Sequence, residues 1–197
     1  VALAITATPI LFLLQRKNYP VKSSIKSPPY KLPKKENLLE LEKLAILQGS
    51  GIKCNSLIGE WKFISIWEKD NDYKDSVFSS LLRVFSATIE FKENFSTENS
   101  NNLFIKTSIQ FGIISIEFSG CAYLKGKQPL LSFFFDLIEL KSGSKILLRR
   151  SLNEPPNKKK PFFSLIAFKG KEGWLSARGQ RGGLVLWKKI EFISNRN

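Results

Sequence analysis

Gly59-Glu60-Trp61-Lys62-Phe63-Ile64-Ser65-Ile66-Trp67, GEWKFISIW, is where the chain changes period. Trp61, Phe63, Ser65 and Trp67 recur at every second position, and Glu60, Lys62, Ile64, Ile66 and Glu68 fill the positions between. Successive side chains of a strand leave on opposite sides, so this alternation predicts a strand with one buried face. The same period returns in ATIEF and then over 103–111, 113–124, 130–140, 145–150, 162–168, 173–178 and 184–193. Turns of Gly, Asn, Ser and Lys separate these runs. A meander of about eight strands without alternating long helices predicts a mainly β fold, an antiparallel sheet closed into a barrel.

Upstream the periodicity is helical. Within residues 37–48, NLLELEKLAILQ, the residues Leu38, Leu41, Ala45 and Gln48 share one side, and Leu44 and Leu47 widen the stripe. This predicts an amphipathic N-terminal helix packed on the barrel and ended near Gly49 or Gly51. A second, short helical run is expected over 77–85. Residues 15–35 hold Pro20, Pro28, Pro29 and Pro33 among lysines and serines, too little apolar surface to offset the cost of ordering, and read as a linker. The first fourteen residues, VALAITATPILFLL, are uncharged and are followed at once by Arg16-Lys17. They are shorter than the roughly 20 apolar residues that span a bilayer, and their positive charge follows rather than precedes the apolar run of a secretory signal. They read as a membrane-associating end or the remnant of a targeting segment. The expected organisation is a tail and linker over 1–36 and a barrel domain over 37–197.

Lys and Arg total 31 against 17 acidic residues, a net charge of +14, which favours anionic partners. Residues 1–37 carry +6 of it. Arg16 and Lys17 at the tail and Lys158-Lys159-Lys160 after a Pro-Pro pair are the candidate contacts to an anionic or membrane surface. Composition also removes chemistries. The chain has no His, which excludes Ser-His-Asp and Cys-His nucleophiles and the commonest metal ligand. Cys54 and Cys121 form no C-x-x-C pair, and are expected as idle thiols in a reducing compartment. Glu90, Glu117 and Asp136 are strand carboxylates on faces expected to meet solvent, so no catalytic residue and no metal site is assigned.

Residues 173–187, GWLSARGQRGGLVLW, test three readings. A phosphate loop needs a Lys-Ser or Lys-Thr leading into a helix, and here strand-like LVLW follows. One RGG unit lies between aromatic strands, whereas RGG tails bind RNA by repetition, so nothing here points to nucleic acid. A tight glycine hairpin joining the last two strands remains, since such turns need positive φ.

The motifs in order carry a resemblance. Gly59-Glu60-Trp61 is similar to the G-x-W of lipocalin-type barrels, where a Trp closes the floor beneath an Arg from a late strand, which would be Arg178 here. The order LLELEKL, SLIGEWKFISIW, ATIEF, GIISIEFSGCAYL, SFFFDLIEL, GWLSARGQRGGLVLW resembles the plastid-lipid-associated protein (fibrillin) family over residues 38–192. Its L-x-G-x-W falls on Leu57, Gly59 and Trp61, and its late R-G-x-x-G on Arg178, Gly179 and Gly182. Departures are Ile66-Trp67 where the family has Tyr-Thr, Arg181 in place of an acidic residue, and no equivalent of an Asp before the Arg. The resemblance implies a non-enzymatic lipocalin-like barrel at the thylakoid membrane of a plastid or cyanobacterium, and the positive charge after the apolar end would hold it on the stromal or cytoplasmic face. It would bind or sequester a prenylquinone, carotenoid or acyl lipid. Phe63, Trp67, Phe91, Phe111, Phe118, Phe133 and Phe135 are the candidate lining, although core packing is open to each of them and register decides which face inward. Gly59, Trp61, Arg178, Gly179 and Gly182 are the expected barrel-closing residues. The alternative is an accessory or assembly factor that holds a photosynthetic membrane protein with an empty barrel.

Overall fold

A computed structural model of the 197-residue chain describes residues 32–67, 86–94, 102–127 and 129–190. Arg16, Lys17 and the helical run expected over 77–85 lie outside them.

The first helix, α1, spans Lys35–Gln48, and Leu32 just before it already packs on the fold. The Asn37 amide oxygen accepts the Lys34 backbone N–H at 3.3 Å, which satisfies one donor at the helix entry. Gly49, at φ +83°, ends the helix by donating its N–H to the Ala45 carbonyl at 2.9 Å. Leu38 and Ala45 are buried as the periodicity requires, whereas Leu44 and Leu47 do not widen the stripe but face water. A single further turn, α2 (Cys54–Leu57), leads into the sheet.

Nine strands follow among the described residues: β1 (Gly59–Trp67), β2 (Thr88–Glu93), β3 (Asn102–Phe111), β4 (Ile114–Lys125), β5 (Leu130–Ser142), β6 (Lys145–Ser151), β7 (Phe162–Lys169), β8 (Trp174–Gly179) and β9 (Leu184–Lys189). All neighbours are antiparallel, in the order β4-β3-β2-β1-β9-β8-β7-β5-β6, and β4 also pairs with β5. The sheet thus returns on itself as a ring of eight strands, with β6 attached outside the ring to the far half of β5. The ring is uneven: β5 follows β4 along its whole length but meets β7 only at Leu130–Ser132.

Three bulges set which side chains enter the ring. Ile64 in β1, Asp136 in β5 and Ile166 in β7 are each an extra residue without a ladder partner, and each reverses the alternation beyond it. Trp61 and Phe63 therefore point inward, but past Ile64 the inward residue is Ile66, and Trp67 turns outward. The outer cluster lies between sheet and helix, where Leu38 of α1 packs with Trp67, Ile166, Ala167, Trp174, Leu184 and Leu186. Full burial of Leu38 contributes about 1.5–3 kcal/mol to docking the helix.

One end of the ring is sealed by Ile52, Cys54 and Leu57. The Leu57 carbonyl accepts the Trp61 indole N–H at 2.7 Å. Gly59 turns between them at φ +128°, and a Cβ there would lie 2.8 Å from the Lys189 side chain. These three residues give the L-x-G-x-W spacing its physical content: a plug, a left-handed turn and a capped indole.

Candidate functional site

Inside the ring an aromatic row crosses from β4 to β9. Phe118 meets Phe135 at 5.6 Å between ring centroids, Phe135 meets Phe133 at 5.5 Å, Phe133 stacks on Phe163 at 5.2 Å, and Phe163 stands edge-on to Trp187 at 5.3 Å. Phe63 and Phe91 are buried in the same cluster. Beside the row, Ile89, Phe91, Leu131, Phe163, Leu165, Leu175 and Trp187 line an apolar cavity of about 10 Å³, barely room for one water. The candidate lining residues Phe63, Phe91, Phe118, Phe133 and Phe135 thus come together and fill the space between them.

Two members of that set are elsewhere. Trp67 lies in the outer cluster under α1, because the Ile64 bulge shifts its phase. Phe111, at the end of β3 next to the β3–β4 turn, is 51% exposed, because β3 runs beyond the ring there. Phe163 and Trp187 were not singled out from the sequence, although each shares its strand's inward phase with a buried aliphatic, Leu165 and Val185.

Arg178 does not cover Trp61. Its Nε donates to Glu42 Oε1 at 2.7 Å, its Nη2 to the other Glu42 oxygen, and its Nη1 to the Gly182 carbonyl at 2.8 Å. The planar guanidinium fork therefore ties α1 to the β8–β9 turn. In its place the Lys189 ammonium sits 5.4 Å from the Trp61 ring centroid, and Phe168 packs edge-on at 6.0 Å. The turn is the expected glycine hairpin. Gly182, at φ +86°, donates to the Gly179 carbonyl, and Gly179 to the Gly183 carbonyl, both at 2.8 Å.

The basic loop divides. Lys158 and Lys159 are exposed, but Lys160 is not a free surface cation. Its Nζ pairs with Glu154 at 2.5 Å and lies 5.0 Å from the Phe134 ring centroid and 5.6 Å from that of Tyr123.

The strand carboxylates form a ladder across β2 to β6. Glu90 meets Lys92 at 3.0 Å and Lys106 at 3.6 Å, Glu117 meets Lys141 at 2.7 Å, and Glu139 meets Lys141 at 3.0 Å and Arg149 at 2.6 Å. Asp136 is exposed in its bulge. Hydrogen bonds from Lys141 and Arg149 hold the Glu139 carboxyl below the ordinary carboxylate range, and Glu117 and Glu139 hold the Lys141 ammonium above its ordinary value. A lowered acid stabilises the fold above its unfolded pKa, and that contribution is lost as pH falls through the folded one; Lys141 loses its share only at the alkaline end. Wild type should therefore melt above Glu139→Gln at pH 7, and the gap should close as pH falls below the carboxylate range, as followed by circular dichroism.

Cys54 and Cys121 are free thiols. Burial pushes both above the usual thiol range, with the Asp136 carboxylate adding to the rise at Cys121, so neither is a thiolate at neutral pH. Among the described residues no group of His, Cys, Asp and Glu could hold a metal ion, and no helix is long and apolar enough to cross a membrane.

Fold and interior together define the class: a mainly β protein whose antiparallel sheet forms a barrel-like ring around an aromatic-rich inner cluster. No family model matches the chain, and no curated protein matches it. Among solved structures it is similar to a redesigned β-barrel, at 11% identity and a TM-score of 0.31, over 71% of this chain and 96% of that one.

Proposed function

We propose that this protein is a non-enzymatic accessory barrel of a photosynthetic membrane that works through its outer surface rather than by enclosing a ligand. The observation that carries the reading is the aromatic row, beside which the described residues line an apolar cavity of about 10 Å³. Sites that bury small molecules of drug size are typically about 300–1,000 Å³. A prenylquinone, carotenoid or acyl chain would have to displace several of the rings from Phe118 to Trp187. The net charge of +14 supports an anionic surface as the place of work, and the order of motifs from Leu57 to Leu186 supports a plastid or cyanobacterial setting. A partner protein of that membrane would then meet the outside of the ring.

A fluorescent fatty-acid probe titrated into the purified chain tests this. The expected result is no saturable one-to-one binding. Saturable binding that a quinone or carotenoid displaces would overturn the reading in favour of sequestration.

A further inference from the structure

The β3–β4 and β5–β6 hairpins run past the ring and end side by side, joined where the Gly143 N–H donates to the Ile113 carbonyl at 2.7 Å. Around this tip the apolar side chains face water: Ile113 is 73% exposed, Leu148 57%, Leu147 50% and Ile146 41%, with Ile114 and Ile116 also exposed. They do not form one flat patch. Leu148 lies opposite Leu140, which in turn pairs with Ile116, on the face that continues the barrel interior. Ile146 lies opposite Lys141 on the other face, and Leu147 is a bulged residue without a ladder partner. Ile113 is at the turn itself.

The charge around the tip is cationic. Every acid of the nearby ladder, Glu90, Glu117 and Glu139, is neutralised by Lys92, Lys106, Lys141 or Arg149. Lys145 and Arg150, both exposed, have no carboxylate partner among the described residues.

We infer that this two-hairpin lobe is the element that inserts into the surface of an anionic lipid bilayer. The inference rests on the proposed function and names the site of its membrane contact, apart from the basic loop at Lys158 and Lys159. Apolar side chains on both faces and at the tip fit a medium that surrounds the lobe. Lys145 beside the tip and Arg150 toward the far end of β6 then bracket the apolar residues, and each cation near an anionic surface strengthens binding about fivefold. A second copy is a poorer occupant. Antiparallel pairing of β6 with itself about Leu147–Leu148 would set Lys145 opposite Arg150, and like charges directly opposite oppose pairing.

The test uses the full chain with vesicles of phosphatidylglycerol, and of phosphatidylcholine as the neutral control. Wild type should sediment with the anionic vesicles. Ile113→Asp/Leu147→Asp and, separately, Lys145→Gln/Arg150→Gln should each weaken partitioning about tenfold or more. All four substituted positions are exposed, so folding should be kept, as checked by circular dichroism. In Ile113→Trp, brominated-chain phosphatidylglycerol should quench the added emission, because the four native tryptophans are buried. If wild type sediments but Trp emission at position 113 is unquenched and both double variants bind as wild type does, the lobe assignment is overturned and the membrane reading stands. If wild type does not sediment with anionic vesicles, both are overturned.

Discussion

Replacing Trp61 with Ala should lower stability by about 3–5 kcal/mol, the loss expected when a large buried aromatic is truncated. For a domain of this size that is a fall in Tm on the order of 10 °C. Trp61 is fully buried and lies at the meeting point of several supports. Its indole N–H caps the Leu57 carbonyl, its ring is flanked by Phe168, and the Lys189 ammonium lies above it. Truncation leaves a cavity at the sealed end of the ring and a buried carbonyl without its donor, two losses that add. Urea unfolding measures the effect. An unchanged midpoint would contradict the role assigned to the sealed end.

Gly120→Val should be nearly as damaging, at about 3 kcal/mol, and for a different reason. Gly120 lies opposite Phe135 where the Asp136 bulge begins. A Cβ at this position would overlap the Phe134 carbonyl oxygen and lie 2.8 Å from Phe135 Cα. The obstruction is backbone, which cannot rotate away, so β4 and β5 must separate. The aromatic row depends on this contact, because Phe118 and Phe135 meet across it. Ser119→Ala next door should change stability by no more than about 0.5 kcal/mol. Comparable unfolding of the two variants would refute the close-approach account.

These two residues also mark what could be read from the chain. The alternation in GEWKFISIW, the helical stripe of α1 and the glycine hairpin before LVLW give the strands, the packed helix and the antiparallel order, because each follows from local geometry. The direction of individual side chains does not. Trp67 shares its sequence phase with Trp61 and Phe63, yet it packs under α1, since the single extra residue Ile64 reverses the faces. Bulges are set by how neighbouring strands accommodate twist, which no period within one strand reveals. The sequence puts Arg178 in a late strand next to the hairpin, but its partner is Glu42, 136 residues away. An ion pair of that separation is decided by how the helix docks. The apolar lobe is hidden for a similar reason: Ile114, Ile116 and Leu148 look like core residues in the sequence, and only the length of the hairpins carries them past the ring.

We propose that the aromatic row fills the ring and that the outside of the ring does the work. The most direct test is native mass spectrometry, with lipid extraction, of the full chain purified from a pigment-containing host. The expected result is the mass of the bare chain and no stoichiometric quinone, carotenoid or acyl lipid in the extract. A one-to-one complex that survives purification would contradict it and make the barrel a carrier.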